Sequence, residues 1–213
     1  MPPMFYSTHS FAMALGVIGA RVIRLSCFGY DDQAHPDEVY GSGRNLWDNP
    51  FANQSALCQL SDGAVARVNE LRCIGLDYSN VVRLKVYGEH ASFEEMAGGP
   101  NRWASQYVFS HRLGGCERVD DKVTCTPKDA GEPGAFFGLA PAHDSSSLPD
   151  SFRGLPNGHF GSHQFLVIDF MTALVEREVP VNGIEDAIRY TLPGFIAHES
   201  ARRGGETLPV PQP

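Results

Sequence analysis

The hydrophobic period changes along this chain, and that change constrains the fold more than any other feature of the sequence. Through the middle of the chain, apolar and polar residues alternate with the two-residue period of half-buried strands. The clearest case is the pair of runs 55–60 and 64–72, which the turn signal Asp62-Gly63 joins into a predicted β-hairpin. In the last third the period becomes three to four residues, which predicts amphipathic helices.

Further elements follow from the same patterns. A helix is predicted over residues 9–18, with Ser7 or Thr8 as its N-cap and Gly19 as its end. The remaining predicted strands cover residues 21–28, 81–87, 92–95 and 103–111, and the remaining predicted helices cover 165–174 and 184–203. Pro193 is expected to bend or interrupt the last helix, because proline removes a backbone donor and clashes with the preceding turn.

Turn-rich segments lie between and after these elements. Residues 29–55 and 126–158 are predicted to be long loops, and residues 207–213 an extended tail. The order of helix, antiparallel strands and helices predicts an α+β fold. We expect a single domain, residues 1–213, with an open, mainly antiparallel β-sheet and helices packed on one face.

Charge and hydropathy exclude several classes of protein. The formal net charge is −8 and Lys and Arg form no cluster, so we expect no nucleic-acid partner. No apolar run reaches about 18 residues, so we expect no membrane-spanning helix. Residues 11–20 are apolar, but the first positive charge, Arg21, follows them, which favours a helix over a signal peptide. A cytoplasmic protein is therefore predicted.

The five cysteines form no C-x-x-C pair, which argues against a zinc ribbon. Cys116 and Cys125 lie opposite each other in a predicted hairpin whose turn is Asp120-Asp121, at a register that suits a disulfide. Reduced thiols are the other interpretation, because an odd number of cysteines is poor support for an oxidised framework.

Several segments of the chain match, in order, those of one known family. They are residues 2–10, 50–57, 60–63, 87–94, 161–170, 181–187 and 193–206. Together these segments resemble the C-terminal half of the Gfo/Idh/MocA oxidoreductases. Residues 2–10 are similar to a Tyr-Pro-Thr-His segment in the glycosidase-like branch of that family.

The resemblance implies the substrate-binding and oligomerisation half of an NAD(P)-dependent oxidoreductase that acts on a sugar, polyol or glycoside. It further implies that the reaction is hydride transfer at a secondary alcohol or redox-assisted glycoside cleavage, and that the open face of the sheet forms a homo-oligomer. The family's N-terminal Rossmann domain is absent, and the start of the chain in mid-motif predicts a truncated sequence. The competing interpretation is a stand-alone, non-catalytic carbohydrate-binding or assembly module.

The dinucleotide-binding fingerprint G-x-G-x-x-G occurs nowhere in the sequence. The nearest approach, Gly41-Ser42-Gly43, lacks the third glycine. We therefore expect no cofactor on this chain alone and no turnover by it. NAD or NADP is expected in the full-length enzyme, on a Rossmann domain in the same or a separate chain.

His9 and Tyr6 are the predicted catalytic residues. A neutral imidazole accepts a hydroxyl proton near neutral pH, and a phenol three residues away can assist it. The resemblance places the family's acid/base histidine near His9. The structural alternatives are a histidine bonded to the backbone and a packed aromatic ring.

The predicted substrate-binding residues are those whose side chains suit sugar hydroxyls or sugar faces: Asn45, Trp47, Asn49, Asn53, Arg72, His159 and His163. For the asparagines, a loop that satisfies its own backbone is the alternative. For Arg72, the alternative is a surface ion pair with Glu70. His159 and His163 lack further ligands at metal spacing, so no metal site is predicted. His198, Glu199 and Ser200 are interpreted as helix packing and polar surface.

Overall fold

The computed structural model of the chain describes residues 1–31, 43–74, 83–96, 105–110, 112, 114–118, 146, 148–155 and 161–212. A 3-10 helix, Pro3–His9, comes first and is called the N-terminal segment below. The α-helices are α1 (Phe11–Ile18), α2 (Ser162–Glu176) and α3 (Ile184–Arg202). The strands are β1 (Val22–Asp31), β2 (Phe51–Leu60), β3 (Val65–Leu71), β4 (Lys85–Tyr87), β5 (Ala91–Met96), β6 (Ser105–Ser110), β7 (Gly115–Arg118) and β8 (Leu208–Pro209).

The strands of the described residues form two four-stranded sheets. Their orders are β3-β2-β1-β8 and β4-β5-β6-β7. Strand β1 pairs antiparallel with both β2 and β8, and β5–β6 and β6–β7 are also antiparallel. The predicted α+β class, with mainly antiparallel sheet and helices, is confirmed.

The chain divides into two compact units. The first contains the N-terminal segment, α1, β1–β3, α3 and β8. The second contains β5–β7 and α2, and the division falls after Val86, inside β4. The single domain predicted for residues 1–213 stays a prediction.

The predicted hairpin is the centre of the first sheet. The Leu60 N–H donates to the Ala64 carbonyl at 2.9 Å, so the connecting loop is residues 61–63. Gly63 has a φ of 89°, a left-handed conformation that glycine adopts without steric cost. The Asp62 carboxylate accepts from the Ala64 N–H at 3.0 Å. The Asp-Gly signal therefore marks the end of a three-residue hairpin loop.

Two predicted boundaries in the first unit are wrong. Helix α1 begins at Phe11 with Ser10 as its N-cap, not Ser7 or Thr8, because Ser7 is buried and its hydroxyl lies 3.4 Å from the Thr191 carbonyl of α3. The predicted loop 29–55 is shorter at both ends, because β1 and β2 stay paired as far as Asp31 and Phe51. Gly19 ends α1 as predicted, with a φ of 73°.

Helix α3 covers the inner face of the first sheet with small residues. Its buried positions recur at helical spacing: Pro193, Gly194, Ala197, His198, Ser200 and Ala201. Inward-facing side chains of the strands, among them Leu25, Cys27 and Val68, belong to the same core cluster as Ala197 and Ala201. Small side chains on one face let the backbones of helix and sheet come close together.

Pro193 does not interrupt α3, which is continuous from Ile184 to Arg202. A proline inside a helix costs about 3 kcal/mol relative to alanine. Pro193 is fully buried together with Gly194. We attribute the tolerance of the proline to this packing.

The segment predicted as an extended tail is part of the first sheet. Strand β8 pairs with Arg24 and Leu25 of β1. On one side of that pairing, Val210 N–H donates to the Ile23 carbonyl at 2.9 Å, and Gln212 Nε2 donates to the Val22 carbonyl at 3.0 Å.

On the other side of the pairing, the end of α3 and the turn after it supply the hydrogen-bond partners of β1. The Ser26 hydroxyl donates to the Gly205 carbonyl at 2.6 Å. Ser200 Oγ accepts from the Cys27 N–H at 2.9 Å and donates to the Glu206 carbonyl at 2.6 Å. The edge of β1 is therefore covered from Val22 to Cys27.

The second unit contains an unusually apolar helix surface. Helix α2 buries only Gln164 and Ala173. Its exposed apolar side chains are Leu166, Val167, Phe170, Met171, Leu174 and Val175. Among the described residues, no helix has the length and apolar character needed to cross a membrane.

Parts of several predictions lie outside the described residues. Among them are most of the loop 126–158, the Cys125 half of the proposed disulfide, and parts of the loop 29–55 and of the strands 81–87 and 103–111. Cys116 is described, and it is exposed at the start of β7.

Candidate functional site

Tyr6 and His9 lie side by side at the end of the N-terminal segment. Their rings stack, with centroids 4.1 Å apart and planes 16° from parallel. The Tyr6 hydroxyl lies 3.3 Å from His9 Nε2, and the Thr8 hydroxyl lies 3.3 Å from His9 Nδ1. A neutral imidazole has one donor and one acceptor nitrogen, and a hydroxyl suits either. The structure thus brings the two predicted catalytic residues together, while their role stays a prediction.

Arg72 joins this pair from the end of β3. Its Cζ lies 4.6 Å from the centroid of the Tyr6 ring, and its Nη2 lies 3.1 Å from Glu70 Oε2. Residues two apart along an extended chain point to the same side, and the ion pair holds Glu70 next to the Arg72 side chain that contacts Tyr6. We call Tyr6, His9, Glu70 and Arg72 the His9 cluster.

Glu70 is the buried member of the His9 cluster, with only 8% of its surface exposed. Burial raises the pKa of its carboxyl above the usual value, while the Ser10 hydroxyl and the Arg72 charge oppose that rise. A carboxylate in this position depends on its cation. Removing Arg72 alone would leave a buried charge without its partner.

A buried polar chain fixes the start of the N-terminal segment. The Met4 N–H donates to Gln54 Oε1 at 3.1 Å, and Gln54 Nε2 lies 3.3 Å from His198 Nδ1. Phe5 packs edge-on against both Phe195 and His198, with centroids 4.6 Å and 5.2 Å apart. These contacts tie the segment that carries Tyr6 and His9 to β2 and α3.

Gly194 allows the N-terminal segment to lie directly against α3. A Cβ at this position would stand 2.1 Å from the Met4 carbonyl oxygen and 2.8 Å from Ser7 Cβ. Both distances are far below van der Waals contact, so only glycine fits without a shift. The position of the His9 cluster thus depends on a helix that carries none of its residues.

The three predicted asparagines bond mainly to backbone. Asn45 Oδ1 accepts from the Trp47 and Asn49 N–H groups, and Asn49 is buried with its amide bonded to both backbone groups of Phe51. Asn53 Oδ1 accepts from the Arg72 and Cys73 N–H groups at 2.8 and 3.0 Å. Asn53 therefore orients the backbone that carries Arg72.

Trp47 keeps an exposed face, with 41% of its surface accessible. Its ring packs edge-on against Phe5 at 6.4 Å. An indole that is held by an aromatic neighbour and still accessible to solvent is suited to stack on a sugar ring. Its predicted role in substrate binding stays a prediction.

The other two predicted substrate-binding histidines are His159 and His163. His163 is exposed near the start of α2 in the second unit. His159 lies outside the described residues. Within the described part of the chain, no group of three or more His, Cys, Asp or Glu side chains is placed to hold a metal ion.

Gln54 was not predicted to have a structural role, and His198 has one beyond the predicted helix packing. His198 is buried helix packing, as expected, but it also belongs to the polar chain that holds Met4. A signal for Gln54 was present in the sequence. It stands at an inward-facing position of β2 between Ala52 and Ala56, where an apolar residue is the rule.

Burial makes His198 an acid-sensitive part of the structure. Burial and the nearby Arg202 charge lower its pKa from 6.5 to about 4, and Glu199 opposes this effect. The unfolded histidine binds a proton as the pH falls through 6.5, whereas the folded one does so only near 4. The contribution of His198 to the free energy of unfolding is therefore fully present above the pKa of 6.5 of the unfolded chain. It is lost as the pH falls toward the folded value of about 4.

Between pH 7 and pH 5 this one group should remove about 2 kcal/mol from the free energy of unfolding. Urea unfolding of the parent and of His198→Gln at both pH values measures it, because glutamine does not titrate and its amide can still bond to Gln54. The variant should lose about that much of the pH dependence. His90→Gln, which changes an exposed histidine, serves as the control. An unchanged pH dependence in His198→Gln would contradict the assignment.

Solved structures with the same architecture are oxidoreductases. Levoglucosan dehydrogenase in complex with NADH and levoglucosan matches 95% of this chain with 17% identity and a TM-score of 0.61. Aldose-aldose oxidoreductase from Caulobacter crescentus, complexed with glycerol, matches 97% with 13% identity and a TM-score of 0.56. An oxidoreductase domain protein from Kribbella flavida matches 95% with 13% identity and a TM-score of 0.58.

The chain has the fold of one half of a Gfo/Idh/MocA-type oxidoreductase. It spans about half the length of the structures it matches, 45% to 48% of each. No protein-family model matches the sequence, and no curated protein matches it either. The resemblance to Gfo/Idh/MocA oxidoreductases is thus confirmed at the level of the fold.

Proposed function

We propose that this chain is the substrate-binding and oligomerisation half of an NAD(P)-dependent oxidoreductase acting on a sugar, polyol or glycoside. The observation that carries the proposal is the stacked pair of Tyr6 and His9, held together with Arg72 in a fold that sugar oxidoreductases share. Levoglucosan dehydrogenase and aldose-aldose oxidoreductase, by their names, act on carbohydrates.

The described residues do not fit a dinucleotide. That cofactor needs a strand, a glycine-rich turn and a helix within a parallel sheet. Within the described residues, the strand pairs β1–β2, β1–β8, β2–β3, β5–β6 and β6–β7 are antiparallel, and the sequence has no G-x-G-x-x-G. We propose that NAD or NADP is bound by a further domain, in the same or a separate chain, which supplies the hydride acceptor.

The chain's own contribution is proton transfer and substrate orientation. Oxidation of a secondary alcohol removes a proton from the hydroxyl oxygen as the carbon is oxidised. His9 is proposed to accept that proton, with the Tyr6 hydroxyl 3.3 Å from its Nε2 as the helper. The indole of Trp47, Arg72 and the histidines His159 and His163 are proposed to orient the sugar.

The outer face of the first sheet is the proposed oligomer interface. Four large apolar side chains, Phe28, Tyr30, Leu57 and Val65, expose more than half of their surface there. Their neighbours on the same face are polar, such as Ser55 and Asn69 beside Phe28 in the strand register. A mixed surface of this kind suits association between copies of the chain.

The experiment is to purify the native protein from its source cells with an antibody against this chain. We expect a species larger by about 100–150 residues, the size of one further domain. It should reduce NAD(P)⁺ when a sugar is added, and the isolated chain should not. Its sedimentation also reports the association state. A native species of 23.3 kDa that binds sugar without any redox activity would support the stand-alone module instead.

A further inference from the structure

We propose that the carbohydrate bound at the His9 cluster is an acidic sugar, and that Arg72 binds its carboxylate or phosphate group. The proposal rests on the proposed function, because it takes the His9 cluster as the sugar site. It adds the charge of the substrate to that function.

The Arg72 guanidinium is held before any ligand arrives. Glu70 Oε2 fixes one end through Nη2 at 3.1 Å, and the Tyr6 ring supports the plane at 4.6 Å. Among the described residues, Glu70 is the only acceptor in contact with this side chain. A guanidinium has five N–H donors in a rigid fork, so donors remain for a ligand. A group fixed in this way loses little entropy when it binds an anion.

The positive charge of this pair faces outward and the negative charge faces inward. The Arg72 side chain is 34% exposed, whereas that of Glu70 is 10% exposed. A ligand therefore meets the cation first. The chain as a whole is negatively charged, with a net charge of −8. Attraction of an acidic ligand therefore comes from the nearby Arg72 charge and not from the overall charge of the chain.

The same site offers groups that suit sugar hydroxyls. The Tyr6 ring contacts both partners: Arg72 Cζ lies 4.6 Å from its centroid, and the His9 ring stacks on it with centroids 4.1 Å apart. An acidic sugar would place a hydroxyl at His9 and its acidic group at Arg72, the two residues that contact the Tyr6 ring.

Binding of matched sugars to the full chain tests the proposal. The probes are D-glucuronate and D-galacturonate, their neutral counterparts D-glucose and D-galactose, and D-glucose 6-phosphate, each titrated by NMR or calorimetry. We expect at least one acidic sugar to bind about tenfold or more tightly than its neutral counterpart. Preference for the uronates identifies a carboxylate ligand, and preference for the phosphate ester identifies a phosphate ligand.

Variants assign the preference to Arg72. Because Arg72→Gln alone would strand the buried Glu70, the informative variant is Glu70→Gln/Arg72→Gln, which removes both charges. It should lose the preference for acidic over neutral sugars. Arg72→Lys, which keeps the charge without the fork, should lose part of it. Arg203→Gln, at an exposed ion pair with Glu199, is the control and should bind like the parent.

Each contrary outcome has a distinct meaning. Equal affinity for acidic and neutral sugars overturns the acidic substrate and leaves the proposed function standing. A preference that persists in Glu70→Gln/Arg72→Gln, with an unfolding midpoint close to that of the parent, overturns the role of Arg72. Absence of binding by every probe, in the chain and in the native enzyme alike, overturns both this inference and the proposed function.

Discussion

Replacing Gly194 with alanine should lower the free energy of unfolding by about 3 kcal/mol, at the upper end of the usual cost of overpacking. The added methyl group would stand 2.1 Å from the Met4 carbonyl oxygen. That oxygen is backbone, and the adjacent Met4 N–H is held by Gln54. A side-chain rotation cannot relieve the clash, so the N-terminal segment or α3 must move.

Gly16→Ala is the matched control, since Gly16 also lies inside a helix, α1. Its new Cβ would lie 3.7 Å from the Tyr190 hydroxyl, an ordinary contact. Alanine favours the helix over glycine by up to about 1 kcal/mol, so this variant should be as stable as the parent or more so. Urea unfolding measures both. Parent-like stability of Gly194→Ala would show that the segment does not pack on α3.

His9→Phe should lower kcat of the proposed full-length enzyme by about 10²–10⁴-fold, the usual contribution of a general base. Phenylalanine keeps a flat ring to stack on Tyr6 but has no nitrogen to accept a proton. The KM for the sugar should change little, because the stacked geometry of 4.1 Å is preserved. Steady-state rates of sugar-dependent NAD(P)⁺ reduction measure both quantities.

Two companion variants make the His9 result interpretable. Tyr6→Phe removes only the hydroxyl near Nε2 and should cost less than His9→Phe, since a helper is lost rather than the base. His90→Gln alters an exposed histidine of the chain and should leave kcat at the parent value. A kcat for His9→Phe within a few-fold of the parent would rule out His9 as the base.

Local sequence signals predicted the local structure well. Gly19 and Gly63 stand where left-handed backbone is needed, and both the helix end and the hairpin were predicted from them. The resemblance correctly indicated the fold of one half of an oxidoreductase. Signals of this kind act within a few residues, and a single sequence is enough to detect them.

Long-range contacts account for the parts that the sequence did not predict. Ser7 has the side chain of a helix cap, but its hydroxyl bonds to the Thr191 carbonyl of α3 and does not cap α1. Gly194 looks like an ordinary helix glycine, and only the nearby Met4 carbonyl shows why it is needed. The same limit applies to the His9 cluster, where Tyr6 and Arg72 meet although they are far apart in the sequence.

The pairing of β1 with β8 has a consequence for the order of folding. Residues near Val22 complete their hydrogen bonds only with residues 208–212, which lie nearly the whole length of the chain away. The second unit lies, in the sequence, between Val86 and Ile184 of the first unit. During synthesis the edge of β1 therefore stays unpaired while residues 87–183 are made. An unpaired strand edge is prone to mispairing. We therefore expect the first unit to complete its fold slowly, because β1 and β8 are far apart in the sequence.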